Sequence, residues 1–293
     1  MSTTGSHHFS SPLLSAEVSA DGAELIRLRT ADGQDLLWNA GKEWKRHAPI
    51  LFPIVGRLKN DRAEIDGRTY KLTQHGFARD RAFTWIEKNP DGCILELAED
   101  PQTLKLWPFR FRLRIEYRLS GARLSVITTI INPDPQTVMH VSLGAHPAFR
   151  WLSEPGTRQT DYTLTFEKPE PAPIRRVKDG LLAETGFPTP VSGKILHLTP
   201  DLFRDDALIL DSLNSSALTF GRPGHPGLHI SWEGYRELGI WTKPGAGFLC
   251  IEPWYGYASP ETFSGPFEEK PGLLHLPPGE SWRAAWYVAL TDA

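Results

Sequence analysis

The chain has 293 residues, with 32 Lys and Arg against 35 Asp and Glu, and 40% of its residues are hydrophobic. A net charge of −3 removes the electrostatic case for nucleic acid or an anionic membrane surface as a partner, and no apolar run of about 18 residues is present to span a bilayer. The 25 prolines and 25 glycines leave little room for long helices and suit short strands joined by turns.

The first stretch, Met1 to Ser11, is polar and carries His7 and His8. No apolar segment of signal-peptide type follows it, so residues 1–11 are expected to be disordered and the protein cytoplasmic. Phe52-Pro53-Ile54-Val55-Gly56-Arg57 delivers a cation just after a glycine. A guanidinium fork suits hydroxyls or anions, and equally a structural ion pair. Ile65-Asp66-Gly67-Arg68 predicts a hairpin turn, because Asp-Gly tolerates positive φ. Gln74-His75-Gly76-Phe77-Ala78-Arg79-Asp80 concentrates polar function, with Asp80 placed to pair with Arg79. Asn89-Pro90-Asp91-Gly92 predicts another turn.

From Arg110 to Leu119 the alternation is strict, with Phe111, Leu113, Ile115, Tyr117 and Leu119 on one face and charges on the other. That pattern predicts a half-buried antiparallel strand. Ser120-Gly121-Ala122 turns it into a β-branched run, Leu124 to Ile131. The proline-rich run from Glu154 to Gly193 reads as a surface excursion containing one hairpin. Further strand patterns are Tyr162-Leu164-Phe166, Leu228-Ile230-Trp232, Phe248-Cys250-Glu252 and Trp286-Val288-Leu290. No long window has helical period. The predicted architecture is all-β, a large twisted antiparallel β-sandwich spanning residues 1–293 as one domain.

Two cysteines, Cys93 and Cys250, are too few for a disulfide framework and are expected to be buried thiols. Ten tryptophans exceed what the core requires, and exposed indole faces are a common way to hold sugar rings. His225 and His229 lie four apart, but Pro226 and Gly227 argue against the helix a metal pair would use. No metal site and no cofactor are expected. Zinc-protease, phosphate-loop and nucleophile-elbow signatures are absent from the sequence.

Two segments stand out, Gly144-Ala145-His146-Pro147-Ala148-Phe149 and Ile251-Glu252-Pro253-Trp254-Tyr255-Gly256. Proline holds the preceding residue on extended backbone, so His146 and Glu252 each have a fixed direction. Period two puts Glu252 on the face of Phe248 and Cys250, where a carboxylate is costly without partners. The two side chains are expected to open into one cleft with a pyranose-sized gap between them.

Taken in order, Gly56-Arg57, His75-Gly76-Phe77-Ala78-Arg79, Trp107-Pro108-Phe109, Asn132, the His146 segment, Asp206-Ala207-Leu208 and Glu252-Pro253-Trp254 resemble the aldose 1-epimerase (galactose mutarotase) family. The match runs from about Leu25 to Leu290. The resemblance implies a large antiparallel β-sandwich, with Glu252 as the general base on the anomeric hydroxyl and His146 as the general acid on the ring oxygen. It implies sugar contacts from His75, Arg57 and Asp206, with Asp205 an alternative to Asp206. Arg79 and Trp254 join the candidate binding set. The His-Gly-Phe-Ala-Arg segment is closer to a divergent branch that includes hexose-6-phosphate 1-epimerases, so sugar identity stays open. The implied partner is a small aldose, acting on a monomer or homodimer. In this reading Glu252 is ionised, and its charge favours the imidazolium of His146. A hexose-6-phosphate 1-epimerase would need Arg57, Lys59 and Arg79 to converge on a phosphate. A non-catalytic sugar-binding protein is the reading from another class.

Overall fold

Residues 4–151 and 156–292 are described by a computed structural model. The Arg110–Leu119 alternation becomes strand Arg112–Ser120, whose Leu113, Ile115, Tyr117 and Leu119 are buried. A tight turn at Gly121, with φ of 56°, carries it into strand Arg123–Ile131. These two strands lie within a nine-stranded antiparallel sheet. Its order runs Ile195–His197, Thr163–Phe166, Ala217–Gly221, Leu228–Glu233, Ser281–Leu290, Arg123–Ile131, Arg112–Ser120, Gly92–Ala98 and Thr84–Asn89. On its outer face Glu96 bridges Arg112 at 3.0 Å and Arg114 at 2.8 Å.

A second sheet has six strands. Leu208–Leu210, Glu237–Trp241, Phe248–Tyr255, Leu143–Ala145 and Ile50–Leu51 follow one another, and Ala148–Arg150 also pairs with Phe248–Tyr255. One hydrophobic cluster joins the two sheets, taking Ile115, Val126, Ile230 and Val288 from the first and Leu238, Ile240, Leu249 and Ile251 from the second. The large antiparallel β-sandwich expected from sequence is therefore present. The only α-helix among the described residues is the four-residue Thr103–Leu106, and no helix there is long and apolar enough to cross a membrane.

The expectation of disorder over residues 1–11 is corrected at residues 6–10, residues 1–3 lying outside the described residues. Ser6–Ser10 forms a strand paired with Leu14–Ser19, which pairs in turn with Leu25–Thr30. Phe9 is the cause: it is 1% exposed within the main core, a burial worth about 1.5–3 kcal/mol. The Glu154–Gly193 run is also only partly an excursion. Thr163–Phe166 is an inner strand of the nine-stranded sheet, while Val177–Lys178 and Leu181–Leu182 form the expected hairpin. Glu154 and Pro155 lie outside the described residues. The turns at Asp66-Gly67 and Asn89–Gly92 fall where expected, and Cys93 and Cys250 are free, buried thiols.

Candidate active site

Strand Phe248–Tyr255 is buried along its whole length. Period two gives its faces different neighbours. Leu249, Ile251 and Tyr255 enter the main core, whereas Phe248 and Cys250 pack with Trp38 and Ala148, and Trp254 packs with Leu51 and Val55. Glu252 sits between those two smaller groups and is 1% exposed.

The adjacent chain pairs Gly144 with Trp254 on one side of Pro147 and Ala148 with Cys250 on the other. The two registers continue each other, so His146 falls opposite Glu252. Its Nε2 lies 3.1 Å from Glu252 Oε2. The approach is off the hydrogen-bond axis, and both Oε2 and the Nδ1 of His146 lack a hydrogen-bond partner. The pair shares one cavity as expected, but the pyranose-sized gap between the two side chains is not there. Cross-strand neighbours sit too close for that, so a ligand must lie over the pair.

Trp254 needs a flat bed. A Cβ on Gly144 would stand 2.7 Å from its Cδ1, and one on Gly239 2.3 Å from its Cζ2. Glycines on both flanking strands let the indole lie across the sheet beside Glu252.

The resulting cavity, about 250 Å³, is lined by His146, Glu252, Trp254, His75, Arg79 and Asp206, together with Trp44, Gln74, Trp241 and small residues including Gly56 and Gly180. Asp205 is not part of the lining. Nor is Arg57, a departure from the sequence expectation. Arg57 forks onto Asp61 at 2.7 and 2.8 Å, and the hairpin turn at Gly180 covers its stem. Lys59 donates to the Glu261 carbonyl beside a different cavity. The three cations do not converge.

His75 stands in the left-handed region, with φ of 65°. The amide N–H of Gly56 donates to its Nδ1 at 3.1 Å. That bond fixes the neutral tautomer with the proton on Nε2, a donor that faces the Gln74 side-chain amide 3.3 Å away. Nη2 of Arg79 donates to the Gln74 carbonyl at 2.6 Å, and its buried Nε, without a hydrogen bond, lies 3.9 Å from Asp80 Oδ2. Asp206, at φ of 66°, accepts from the Ala207 amide. The Trp44 ring stacks on His146 at 5.0 Å, and Trp241 meets His146 edge-on at 6.1 Å.

Burial dominates the electrostatics. It pushes the Glu252 carboxyl well above its ordinary range; the neighbouring Trp254 indole N–H opposes this, and the charge of Asp206 adds to it. Burial also lowers His146 to about 3, its own backbone carbonyl opposing and Arg79 and Arg46 contributing. His75 is held well below its ordinary value by burial, with His146, Arg79 and Arg46 adding to it. Both members of the pair therefore favour their neutral forms, the reverse of the ion pair expected from sequence, because desolvation outweighs their mutual attraction.

Trp44, Trp241 and Gln74 were not singled out as site residues from the sequence. Trp44 carried a signal, being a large aromatic inside the charged run Lys42-Glu43-Trp44-Lys45-Arg46. Such an indole has no alternation to bury it.

Comparison with known proteins agrees with the fold. The sequence model of the family described as aldose 1-epimerase matches residues 7–286. The plasmid-encoded protein LacX of Lactococcus lactis subsp. lactis is 30% identical over 290 residues, covering 95% of this chain and 97% of LacX. A galactose mutarotase related enzyme from Lactobacillus acidophilus superposes with a TM-score of 0.90 at 29% identity, covering 98% of each chain. A galactose mutarotase-like protein from Lactobacillus casei gives a TM-score of 0.89 at 30% identity, covering 98% of this chain and all of that one.

Proposed function

The chain belongs to the aldose 1-epimerase family, and from that premise we propose that it interconverts the α and β anomers of a free aldohexose. The observation that carries the proposal is the buried His146–Glu252 contact of 3.1 Å in a tryptophan-walled cavity of about 250 Å³. Such a volume suits one monosaccharide ring, being below the usual range for larger ligands.

In this reading Glu252 takes the proton from O1 while His146 delivers one to O5. The C1–O5 bond breaks, the aldehyde turns about C1–C2, and the ring closes on the other face with the roles reversed. The pair carries one proton throughout. Burial places it on Glu252 in the free site, which is the distribution ring opening leaves behind. A bound sugar donates O1–H to Glu252 and accepts at O5 from His146, favouring the ion-pair distribution needed to start. His75 offers Nε2–H to a hydroxyl, Asp206 and Gln74 add acceptors, and Trp44, Trp241 and Trp254 supply faces for the ring's C–H groups. Each positioned acid or base is worth about 10²–10⁴-fold.

The lining supports an uncharged sugar over a 6-phosphate. Arg79 is its single cation, whereas a phosphate dianion calls for two or more convergent donors. A purely binding role is disfavoured because a sugar binder gains nothing from burying an unpartnered carboxylate oxygen against an imidazole. The deciding experiment is anomer exchange, by polarimetry or NMR, with a panel of free and 6-phosphorylated aldoses. Exchange of glucose or galactose well above background is expected. Preference for glucose 6-phosphate would promote the phosphate reading, and no exchange with any sugar would sink both.

A further inference from the structure

Cys250 is a buried thiol that the proposed reaction leaves unused. Strand geometry places it two residues before Glu252 on the same face, opposite Ala148, and so directly beside His146. One ligand atom from each of His146, Cys250 and Glu252 lies within 4.8 Å of the others. The Glu252 Oε2 that faces His146 Nε2 is buried and has no hydrogen-bond partner.

We propose that a borderline-soft divalent cation, typified by Zn²⁺, binds His146, Cys250 and Glu252 and arrests the acid–base pair. Thiolate sulfur, imidazole nitrogen and carboxylate oxygen are the three ligand types zinc takes, at about 2.0–2.3 Å. Those bond lengths put tetrahedral ligand atoms roughly 3.3–3.7 Å apart. The His146–Glu252 contact is already at 3.1 Å, so the thiol has only a short approach to make. Charge fits as well. One thiolate and one carboxylate balance a dication, giving a neutral cluster in a site with little water. The Cys250 proton and the proton shared by the pair leave to solvent. A fourth position faces the cavity, open to water or a sugar hydroxyl. Mg²⁺ and Ca²⁺ are excluded by softness and number, since they require six or more oxygen ligands.

The metal site stands on the geometry of the three residues; only its inhibitory effect rests on the proposed anomer exchange. The test therefore has two readouts. After chelator treatment, the full-length protein is titrated with Co²⁺ and followed by absorbance, where sulfur ligation gives a near-ultraviolet charge-transfer band. Zn²⁺ stoichiometry is measured in parallel by competition with a chromophoric chelator. One metal per chain and a cobalt–sulfur band are expected, both lost in Cys250→Ala or Cys250→Ser. Exchange should stop at one equivalent of Zn²⁺, recover with EDTA, and ignore Mg²⁺. Cys250→Ala should keep exchange yet resist Zn²⁺ by about 100-fold or more. His275→Ala serves as a control, because His140 and His275 meet at 2.7 Å on an exposed ladder and could hold zinc alone. A wild-type protein without the sulfur band, or equal zinc inhibition of Cys250→Ala, would overturn the site. Metal binding without measurable exchange would instead keep the site and remove the mutarotase reading.

Discussion

Glu252→Gln separates the chemistry of the carboxyl from its shape. The amide keeps volume but cannot take a proton from O1. Loss of a positioned base removes about 10²–10⁴-fold of rate, or about 2.7–5.5 kcal/mol of barrier. Stability should respond differently. Glu252 is 1% exposed, and burial pushes its carboxyl up, which favours the neutral form in the folded protein. Exchanging one neutral group for another should cost about 1 kcal/mol or less. If Glu252 and His146 formed a buried ion pair, removing one charge would cost about 3–5 kcal/mol. At about 2–4 °C per kcal/mol, that means a Tm loss on the order of 10 °C against a shift of only a few degrees. NMR exchange spectroscopy on glucose or galactose, paired with thermal denaturation, reads both quantities. Retention of more than about a tenth of the wild-type rate would show that another group is the base. A Tm fall near 10 °C would refute the neutral-pair argument while leaving the base assignment standing.

The remaining expectations follow from the same geometry. Because burial holds His146 down at about 3, exchange should change little between pH 7 and 5; a fall centred near the ordinary histidine value of about 6.5 would contradict this. The sign for stability is that His146, with its folded pKa depressed, contributes stability above about pH 6.5 that is lost as pH falls toward 3, and urea midpoints across that window measure it. Arg57→Ala should lower exchange less than about threefold, since Arg57 is turned to Asp61; a loss of KM-type binding beyond tenfold would mean that sugar draws it in. Gly239→Ala should cost about 1–3 kcal/mol and much of the exchange rate, because the new methyl collides with Trp254; a wild-type Tm and rate would show that the indole is free to move. Trp44→Ala should weaken exchange at least several-fold by unseating the His146 ring it stacks on, read as kcat against KM.

Local pattern exposed much of this architecture. The alternation from Phe111 to Leu119 and the turn residues at Asp66-Gly67 and Gly121 each act over a few residues, and each formed as read. His146 and Glu252 were found because a following proline and a costly carboxylate are local features. What escaped depends on distant partners. Phe9 looked like part of a polar tail, yet it lies in the main core and stacks on His7, which Trp85 and Asn89 contact from far along the chain. Arg57 read as a ligand-binding cation because nothing in Gly56-Arg57 reveals that Asp61 would capture it. The charge state of the pair was misread for a similar reason: attraction between neighbours is visible in sequence, whereas the depth of burial that outweighs it is set by Trp44, Trp241 and Trp254 arriving from separate segments.

Strand Phe248–Tyr255 ties the two halves of the molecule to a single ruler. Leu249 and Ile251 point into the sandwich core, whereas Phe248, Cys250, Glu252 and Trp254 take the opposite face, where Glu252 and Trp254 line the cavity. Drift by substitution can therefore proceed on one parity without disturbing the other. Insertion or deletion of one residue cannot, because every side chain beyond it would change sides at once. Glu252 would turn into the core, and leucine or isoleucine would enter the cavity. New specificities can thus arise on the cavity face by replacement, while the length of this strand should stay fixed for as long as the His146–Glu252 contact is kept.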